Sequence, residues 1–318
     1  MKITYYCIYC NTELSLSPLK GHIGALYCEK CLRFYPISKN IVDVPEILPD
    51  FYRDLTDDKR WLIDNQIDVP LQIIEHEIKM EHLNKRMKFI VNAIKDAMIP
   101  YDISGEEYPS LYEKEYLNFF LAQIKEASMI LDLACGNGRH LPDLCKNADY
   151  VVGLDLSVSN LKRAKVVASK FNNIELVRSD ILNLPFKSEF FDGIWFCQAF
   201  EYVPPDFRRK ILSQLYKILK PGGIIFMSVE TWQDPSIITT MKELFGDLKY
   251  FLLWKVIKRK PLLWGEFLYP VRIDDKLSIW HYHVHTSKRA LLKLLRELNF
   301  QIVKLKIGDG YIHVICKK

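Results

Sequence analysis

Two hydrophobic rhythms alternate through the middle of this 318-residue chain. Short unbroken apolar runs at 129–134, 150–155, 174–178, 191–197 and 223–229 read as strands buried on both faces. Between them, 138–146, 158–171 and 206–219 space their apolar residues as helices do. Such alternation predicts an α/β fold, a parallel sheet with helices on both sides. The C-terminal portion breaks the rhythm: a helix over 287–298, a strand over 300–306, the turn Gly308-Asp309-Gly310 and a strand over 311–316. So short a turn joins only antiparallel neighbours.

Upstream, Ile74, Ile78, Leu83, Met87, Ile90, Ile94 and Met98 recur about once per turn and predict a helix within 71–98, which Pro100 ends. A second helix is expected over 108–125. Its Tyr112 and Tyr116 read as core, with contact to a ligand pocket as the alternative. Residues 231–286 fit neither rhythm. They start from a strand's carboxyl end, where open α/β folds bind ligands, and so read as a substrate lid. The lid holds Trp232, Trp254, Trp264 and Trp280 together with Lys249, Lys255, Lys258, Arg259 and Lys260. That mixture suits a lipophilic or planar substrate carrying negative charge, or single-stranded RNA stacked on rings. The alternative is an amphipathic helix over 250–257 that buries its apolar face and solvates its lysines.

Composition changes this picture little. Hydrophobic content of 49% and charged content of 26% are ordinary for a globular protein. A net charge of +5 permits a nucleic-acid or anionic-membrane partner without requiring one. No apolar run approaches the ~20 residues of a membrane span. The start, Met1-Lys2-Ile3-Thr4-Tyr5-Tyr6-Cys7, lacks a signal-peptide core, which points to the cytoplasm.

The cysteines divide into two sets. Cys7, Cys10, Cys28 and Cys31 form paired C-x-x-C knuckles, the pattern of a four-thiolate zinc site. A segment of about 40 residues has too little core to fold unaided, so metal binding would supply its folding energy. Cys135, Cys145, Cys197 and Cys316 are scattered among apolar positions and read mostly as small buried hydrophobes.

The chemistry concentrates where the first core strand meets Gly136-Asn137-Gly138-Arg139-His140-Leu141. Glycines let a backbone pass close to a ligand. The next strand ends on Asp155, placed to accept hydrogen bonds from two ribose hydroxyls. A dinucleotide fingerprint would carry a third small residue, which is missing here. Asp132, inside the strand before the turn, would repel a pyrophosphate but suits a cation. A nucleoside cofactor with positive charge follows.

Asp132-Leu133-Ala134-Cys135-Gly136-Asn137-Gly138 resembles motif I of the class I S-adenosylmethionine-dependent methyltransferases. Val152-Gly153-Leu154-Asp155-Leu156-Ser157 resembles that family's second strand, and Asp180 in Arg178-Ser179-Asp180-Ile181 matches its adenine-contacting acid. Phe190 to Cys197 looks like the fourth strand, and Leu219-Lys220-Pro221-Gly222-Gly223-Ile224-Ile225 like the turn into the fifth. The resemblance covers roughly 116–230 and the C-terminal tail. It implies a Rossmann-like seven-stranded methyltransferase sheet with a reversed C-terminal hairpin. It also implies S-adenosylmethionine held by Asp132, Ala134, Gly136, Gly138, Asp155, Leu156, Asp180, Ile181 and Cys197. The N-terminal segment, with Tyr35-Pro36-Ile37 after its second knuckle, resembles the zinc-ribbon activator subunit of tRNA, rRNA and release-factor methyltransferases. A translation-related role is one implication, and a structural cap on the catalytic domain is the alternative. The expected division is a zinc ribbon over 1–45, a helical linker with cofactor-covering helices over 46–115, and a methyltransferase domain over 116–318 with 231–286 inserted.

Methyl transfer from a sulfonium is an in-line displacement, so positioning does much of the work. Where a base is needed, the tip of the fourth strand is its natural place. Many relatives carry Glu-His there, whereas this chain has Glu201-Tyr202, which removes a ready imidazole. His281, His283 and His285 alternate and would share one face of a strand, as a base, a substrate contact or, less suitably, a metal site. The catalytic candidates are Glu201, Tyr202 and His281. Cys197-Gln198-Ala199-Phe200 stands where an Asn/Asp-Pro-Pro-aromatic motif would be, which disfavours adenine and release-factor methylation. The leading acceptor is a small or lipophilic metabolite, as in quinone biosynthesis. RNA is the second reading, and a non-catalytic scaffold of the same fold the third.

Overall fold

The structure, a computed structural model, describes residues 3–7, 10–16, 24–30, 33–38, 41–44, 85, 86, 89, 112–124, 128–182, 184–272 and 278–318. The helix expected within 71–98 and the fourth knuckle cysteine, Cys31, lie outside them apart from Lys85, Arg86 and Phe89. The strands are β1 (Ser15–Leu16), β2 (Gly24–Cys28), β3 (Arg33–Ser38), β4 (Ile41–Val44), β5 (Met129–Leu133), β6 (Tyr150–Asp155), β7 (Ile174–Ser179), β8 (Phe191–Phe196), β9 (Leu219–Glu230), β10 (Glu266–Arg272), β11 (Ser278–Val284), β12 (Gln301–Gly308) and β13 (Tyr311–Lys317). The helices are α1 (Glu113–Gln123), α2 (Leu141–Asn147), α3 (Val158–Ala168), α4 (Pro205–Ile218), α5 (Ile237–Phe251) and α6 (Lys288–Glu297).

Seven strands in the order β7-β6-β5-β8-β9-β13-β12 form the central sheet. Neighbours from β7 to β9 pair parallel, and β13 pairs antiparallel with both β9 and β12. This is the expected Rossmann-like α/β sheet with its reversed final hairpin. Its strands are apolar throughout because helices cover both faces: all of β5 is buried, and separate apolar clusters lie on the two sides. Serines begin three of the helices. Ser157, Ser236 and Ser287 accept hydrogen bonds from Asn160, Thr239 and Ala290 at 3.1, 3.3 and 3.2 Å.

Helix α1 closes one face. Phe120 and Ile124 lie so near Gly193 that a Cβ there would meet them at 2.8 and 2.7 Å, which explains the glycine in the middle of β8. Tyr116 is fully buried, its ring 5.5 Å from Phe226 and 5.4 Å from His313, and Tyr112 packs edge-on against His313 at 5.6 Å. Tyr116 is core, and Tyr112 is half-buried against it. Helix α2 starts at Leu141 rather than 138, because Gly138 at φ +86° is left-handed and stands outside any helix.

The N-terminal strands continue the sheet rather than forming a separate one. β4 pairs parallel with β7, Ile41 opposite Leu176 and Val44 opposite Ser179. The Tyr5 hydroxyl bonds the Glu175 carboxylate, and the Tyr6 N–H donates to the Pro185 carbonyl at 3.0 Å. An exposed edge at β7 is thereby covered.

The 231–286 insert consists of α5, a π-helical extension over Leu252–Ile257, and the β10–β11 hairpin. Trp254, Leu262, Leu268, Tyr282 and Val284 give it a small core of its own. Inside that core Glu266 accepts from the Tyr282 hydroxyl at 2.6 Å and pairs with Arg86 at 2.7 Å. Of the amphipathic helix expected over 250–257, Trp254 is buried while Leu252, Leu253, Val256 and Ile257 are exposed, and the apolar side of α5 before it is exposed as well. Polar contacts hold the inward side instead: Asp247 binds His285 at 3.0 Å, and the Tyr250 hydroxyl accepts from the Leu268 N–H at 2.6 Å.

Candidate active site

As parallel neighbours, β5, β6 and β8 bring their carboxyl ends to one edge of the sheet, and the backbone there is unusual. Ala134 at the end of β5 and Gln198 just past β8 both adopt left-handed conformations, φ +57° and +50°. Such geometry costs a side-chain-bearing residue about 1–2 kcal/mol and is stored where function needs it. Gly136 and Gly138 turn the chain between β5 and α2 at φ +56° and +86°.

Asp155 fixes this turn to the next strand. Its Oδ2 accepts from the Gly136 N–H at 2.9 Å and its Oδ1 from the Ser157 N–H at 2.8 Å. The carboxylate is buried at 6% exposure. Asp132 lies behind the turn at 1% exposure, its charge, after burial, helping to push the Cys145 thiol up to about 12. Asp180 accepts from the Leu182 N–H at 2.8 Å, with Ile181 beside it; Leu156 is exposed next to Asp155. Acids therefore line the β6–β7 side.

Around the glycine turn and the tip of β8 lies a cluster that sequence spacing gave no hint of. Glu113, in the first turn of α1, bonds His140, pairs with Arg139 at 3.0 Å and accepts from the Cys197 thiol at 3.5 Å. Arg139 also donates to Gln198 at 2.7 Å, bridging the glycine turn to the tip of β8. Burial disfavours the Glu113 carboxylate, but the His140 hydrogen bond and the nearby Arg139 outweigh it and hold its pKa below the ordinary range. Burial and the Glu113 charge push the Cys197 thiol well up, so Cys197 stands there as a protonated donor and not as a nucleophile.

Beyond the tip of β8 lies a second polar cluster. Glu201 and Tyr202 occupy a 3₁₀ turn over Phe200–Tyr202. Glu201 is buried, and burial together with the charge of Glu230 raises its carboxyl. Tyr202 reaches outward, where its hydroxyl lies 3.1 Å from His283 Nε2. His283 Nδ1 is 2.7 Å from the Glu230 carboxylate at the end of β9. A carboxylate only accepts, so Nδ1 carries the proton and, in the neutral ring, Nε2 accepts from Tyr202. His285 sits between two acids, Nδ1 at 3.0 Å from Asp247 and Nε2 at 3.7 Å from Glu230. Burial opposes its charge, but hydrogen bonds to both carboxylates push His285 up to about 9. Burial likewise opposes the Glu230 anion, yet the hydrogen bonds from His283 and His285 hold it well below the usual carboxylate range.

The imidazole missing from the Glu201-Tyr202 turn is thus returned by a strand some 80 residues later. His283 and His285 do share one face; the His281 side chain lies outside the described residues. Glu230 and Asp247 are the members of this cluster that sequence reading missed. Only the position of Glu230, at a core strand's carboxyl end, could have flagged it.

In the N-terminal segment, the sulfurs of Cys7, Cys10 and Cys28 lie within 4.8 Å of one another, Cys10 and Cys28 at 3.5 Å. Cys7 and Cys28 are buried.

Comparison with known proteins falls on the same region. Residues 130–223 match the family described as "Methyltransferase domain". A stretch of 106 residues is 31% identical to the sterol 24-C-methyltransferase of Debaryomyces hansenii, covering 32% of this chain and 28% of that protein. A longer stretch of 174 residues is 29% identical to the tRNA (carboxymethyluridine(34)-5-O)-methyltransferase of Arabidopsis thaliana, covering 52% of this chain and 39% of that one. The chain thus spans well under half the length of these two relatives. Among solved structures, the 1,6-didemethyltoxoflavin-N1-methyltransferase of Burkholderia thailandensis, with 1,6-didemethyltoxoflavin and S-adenosylhomocysteine bound, superposes with a TM-score of 0.53 at 15% identity, over 74% of this chain and 91% of that one. The central sheet accordingly has the Rossmann-like fold of that methyltransferase, and residues 130–223 are the part of the chain that matches a methyltransferase domain.

Proposed function

We propose that this protein is an S-adenosylmethionine-dependent methyltransferase whose acceptor is a small or lipophilic metabolite. The observation that carries the reading is the Asp155 carboxylate, held by the Gly136 and Ser157 N–H groups at the mouth of the glycine turn. The donor set fits the cofactor. Asp155 would take the ribose hydroxyls, with Leu156 alongside. Asp180 and Ile181 would meet the adenine, and Asp132, Ala134, Gly136 and Gly138 would surround the cationic end. Arg139, paired with Glu113 and bonded to Gln198, would stand near the cofactor's carboxylate together with Cys197. A pyrophosphate would face Asp132, Asp155 and Asp180, which disfavours a dinucleotide. When bound, the cofactor supplies an electrophilic methyl group.

The chain's own residues would orient the acceptor and take its proton. Tyr202 stands at the tip of β8 with His283 behind it and Glu230 behind His283. A proton leaving the acceptor can pass to the Tyr202 oxygen as the hydroxyl proton moves to His283 Nε2, and Glu230 stabilises the imidazolium. In this reading Tyr202 and His283 would carry the acid–base role, with Glu201 a buried neighbour.

The sulfurs of Cys7, Cys10 and Cys28 fit a zinc ion, because sulfurs around tetrahedral zinc lie about 3.8 Å apart; Cys31 would be the fourth ligand. The pairing of β4 with β7 supports a ribbon that caps the catalytic sheet. The likeness to a tRNA methyltransferase favours RNA as the second acceptor reading. Incubating the protein with isotopically labelled S-adenosylmethionine and separate metabolite, lipid and RNA extracts tests both by mass spectrometry. Label is expected in a small or lipophilic product; label in RNA alone would replace that acceptor, and label nowhere would favour a non-catalytic scaffold.

A further inference from the structure

Helix α5 is turned inside out. Ile237, Ile238, Met241, Phe245 and Leu248 fall within about 100° of its circumference, and all five are exposed, Ile237 and Ile238 at 79% and 83%. Leu252, Val256 and Ile257 carry the exposed stripe through the π-helical extension, and Leu263 and Trp264 border it. With 15 residues in α5 and 6 in its extension, the stripe is about 30 Å long. The helix cannot bury it by rolling over, because Asp247, Tyr250 and Trp254 pin the other side to the insert's core and to His285.

The charges beside the stripe are of one sign. Lys242 and Lys249 lie next to it on α5, and Lys258, Arg259 and Lys260 follow its far end, all exposed. The acids of this stretch are Glu243, away from the stripe, and Asp247, buried and committed to His285. Long apolar contact flanked by cations matches an anionic bilayer surface, with aliphatic side chains in the acyl–headgroup boundary and ammonium groups at the phosphates. A second copy packed symmetrically on the stripe would bring these cations against their own kind. RNA would find mostly aliphatic side chains where it needs rings to stack on. Among the described residues no helix is long and apolar enough to cross a membrane, so the contact is peripheral.

We propose that α5 and its extension form a docking surface for an anionic lipid bilayer. The inference stands on the stripe and its cations, and does not rest on the methyl-transfer reading. The test is co-sedimentation of the full chain with vesicles of phosphatidylcholine plus phosphatidylserine, and with vesicles of phosphatidylcholine alone. Binding is expected to the mixed vesicles, to weaken with added salt, and to fall about tenfold or more in the double variant Phe245→Glu, Leu248→Glu. Both side chains are exposed, so the fold should persist; circular dichroism checks this. Should that variant unfold, Lys258→Glu with Arg259→Glu is expected to abolish the preference for phosphatidylserine. Absence of vesicle binding, equal binding to both vesicle types, or binding unchanged in the folded variants would overturn the proposal. A vesicle-free dimer dissolved by the same variants would assign the stripe to a second copy and equally overturn it.

Discussion

At the scale of residues, the site depends on backbone shape as much as on side chains. Gly138 combines a left-handed φ with crowding: a Cβ would meet Leu141 Cδ1 at 2.8 Å and Ala164 Cα at 3.1 Å. Gly138→Ala should therefore cost about 3 kcal/mol, strain and overpacking together, read as a lowered urea midpoint with unchanged slope. Unchanged stability would mean the turn adopts another shape. The glycines and the Asp155 tip were legible in the sequence because a strand, a turn and the next strand's end are local, and local order fixes them. The Glu113 cluster and the Tyr202–His283–Glu230 chain were not. Their members meet only after α1 folds over the turn and β11 returns to the tip of β8, and nothing in the spacing of Tyr202 and His283 encodes a 3.1 Å approach.

Elements show the same division. Central strands announced themselves because burial on both faces demands continuous apolar runs, and the reversed hairpin followed from its short turn. Where elements join was less visible. β9 begins at Leu219, earlier than its apolar run, because Gly222 bonds the Lys318 carbonyl at 3.1 Å and draws the turn into the sheet. That the N-terminal strands would extend the sheet through β4 required knowing which edge stood open. If zinc organises the ribbon, Cys28→Ser should lower bound zinc, and amide exchange in β7 should quicken as β4 loosens. Metal content by mass spectrometry and hydrogen exchange read the two effects separately. Full zinc in the variant would remove the four-thiolate site, and unchanged exchange in β7 would remove the capping role.

For the whole molecule, His285 couples the insert to the core. Its protonated ring joins Asp247 of α5 to Glu230 of β9. A histidine raised in the folded state stabilises fully below its unfolded pKa of about 6.5, and that contribution disappears as pH rises through about 9. It is worth up to about 3 kcal/mol. The thermal midpoint should therefore fall between these limits, and His285→Gln should flatten the fall. An alkaline limb identical in the variant would detach the insert's anchoring from this imidazole.

Cofactor binding at the carboxyl ends of β5 and β6 is the central claim, and calorimetric titration of the full chain with S-adenosylmethionine tests it directly. Saturable one-to-one binding is predicted, weakened about tenfold or more by Asp155→Ala, which removes a charge-assisted pair of hydrogen bonds. No binding, or affinity indifferent to Asp155, would contradict it.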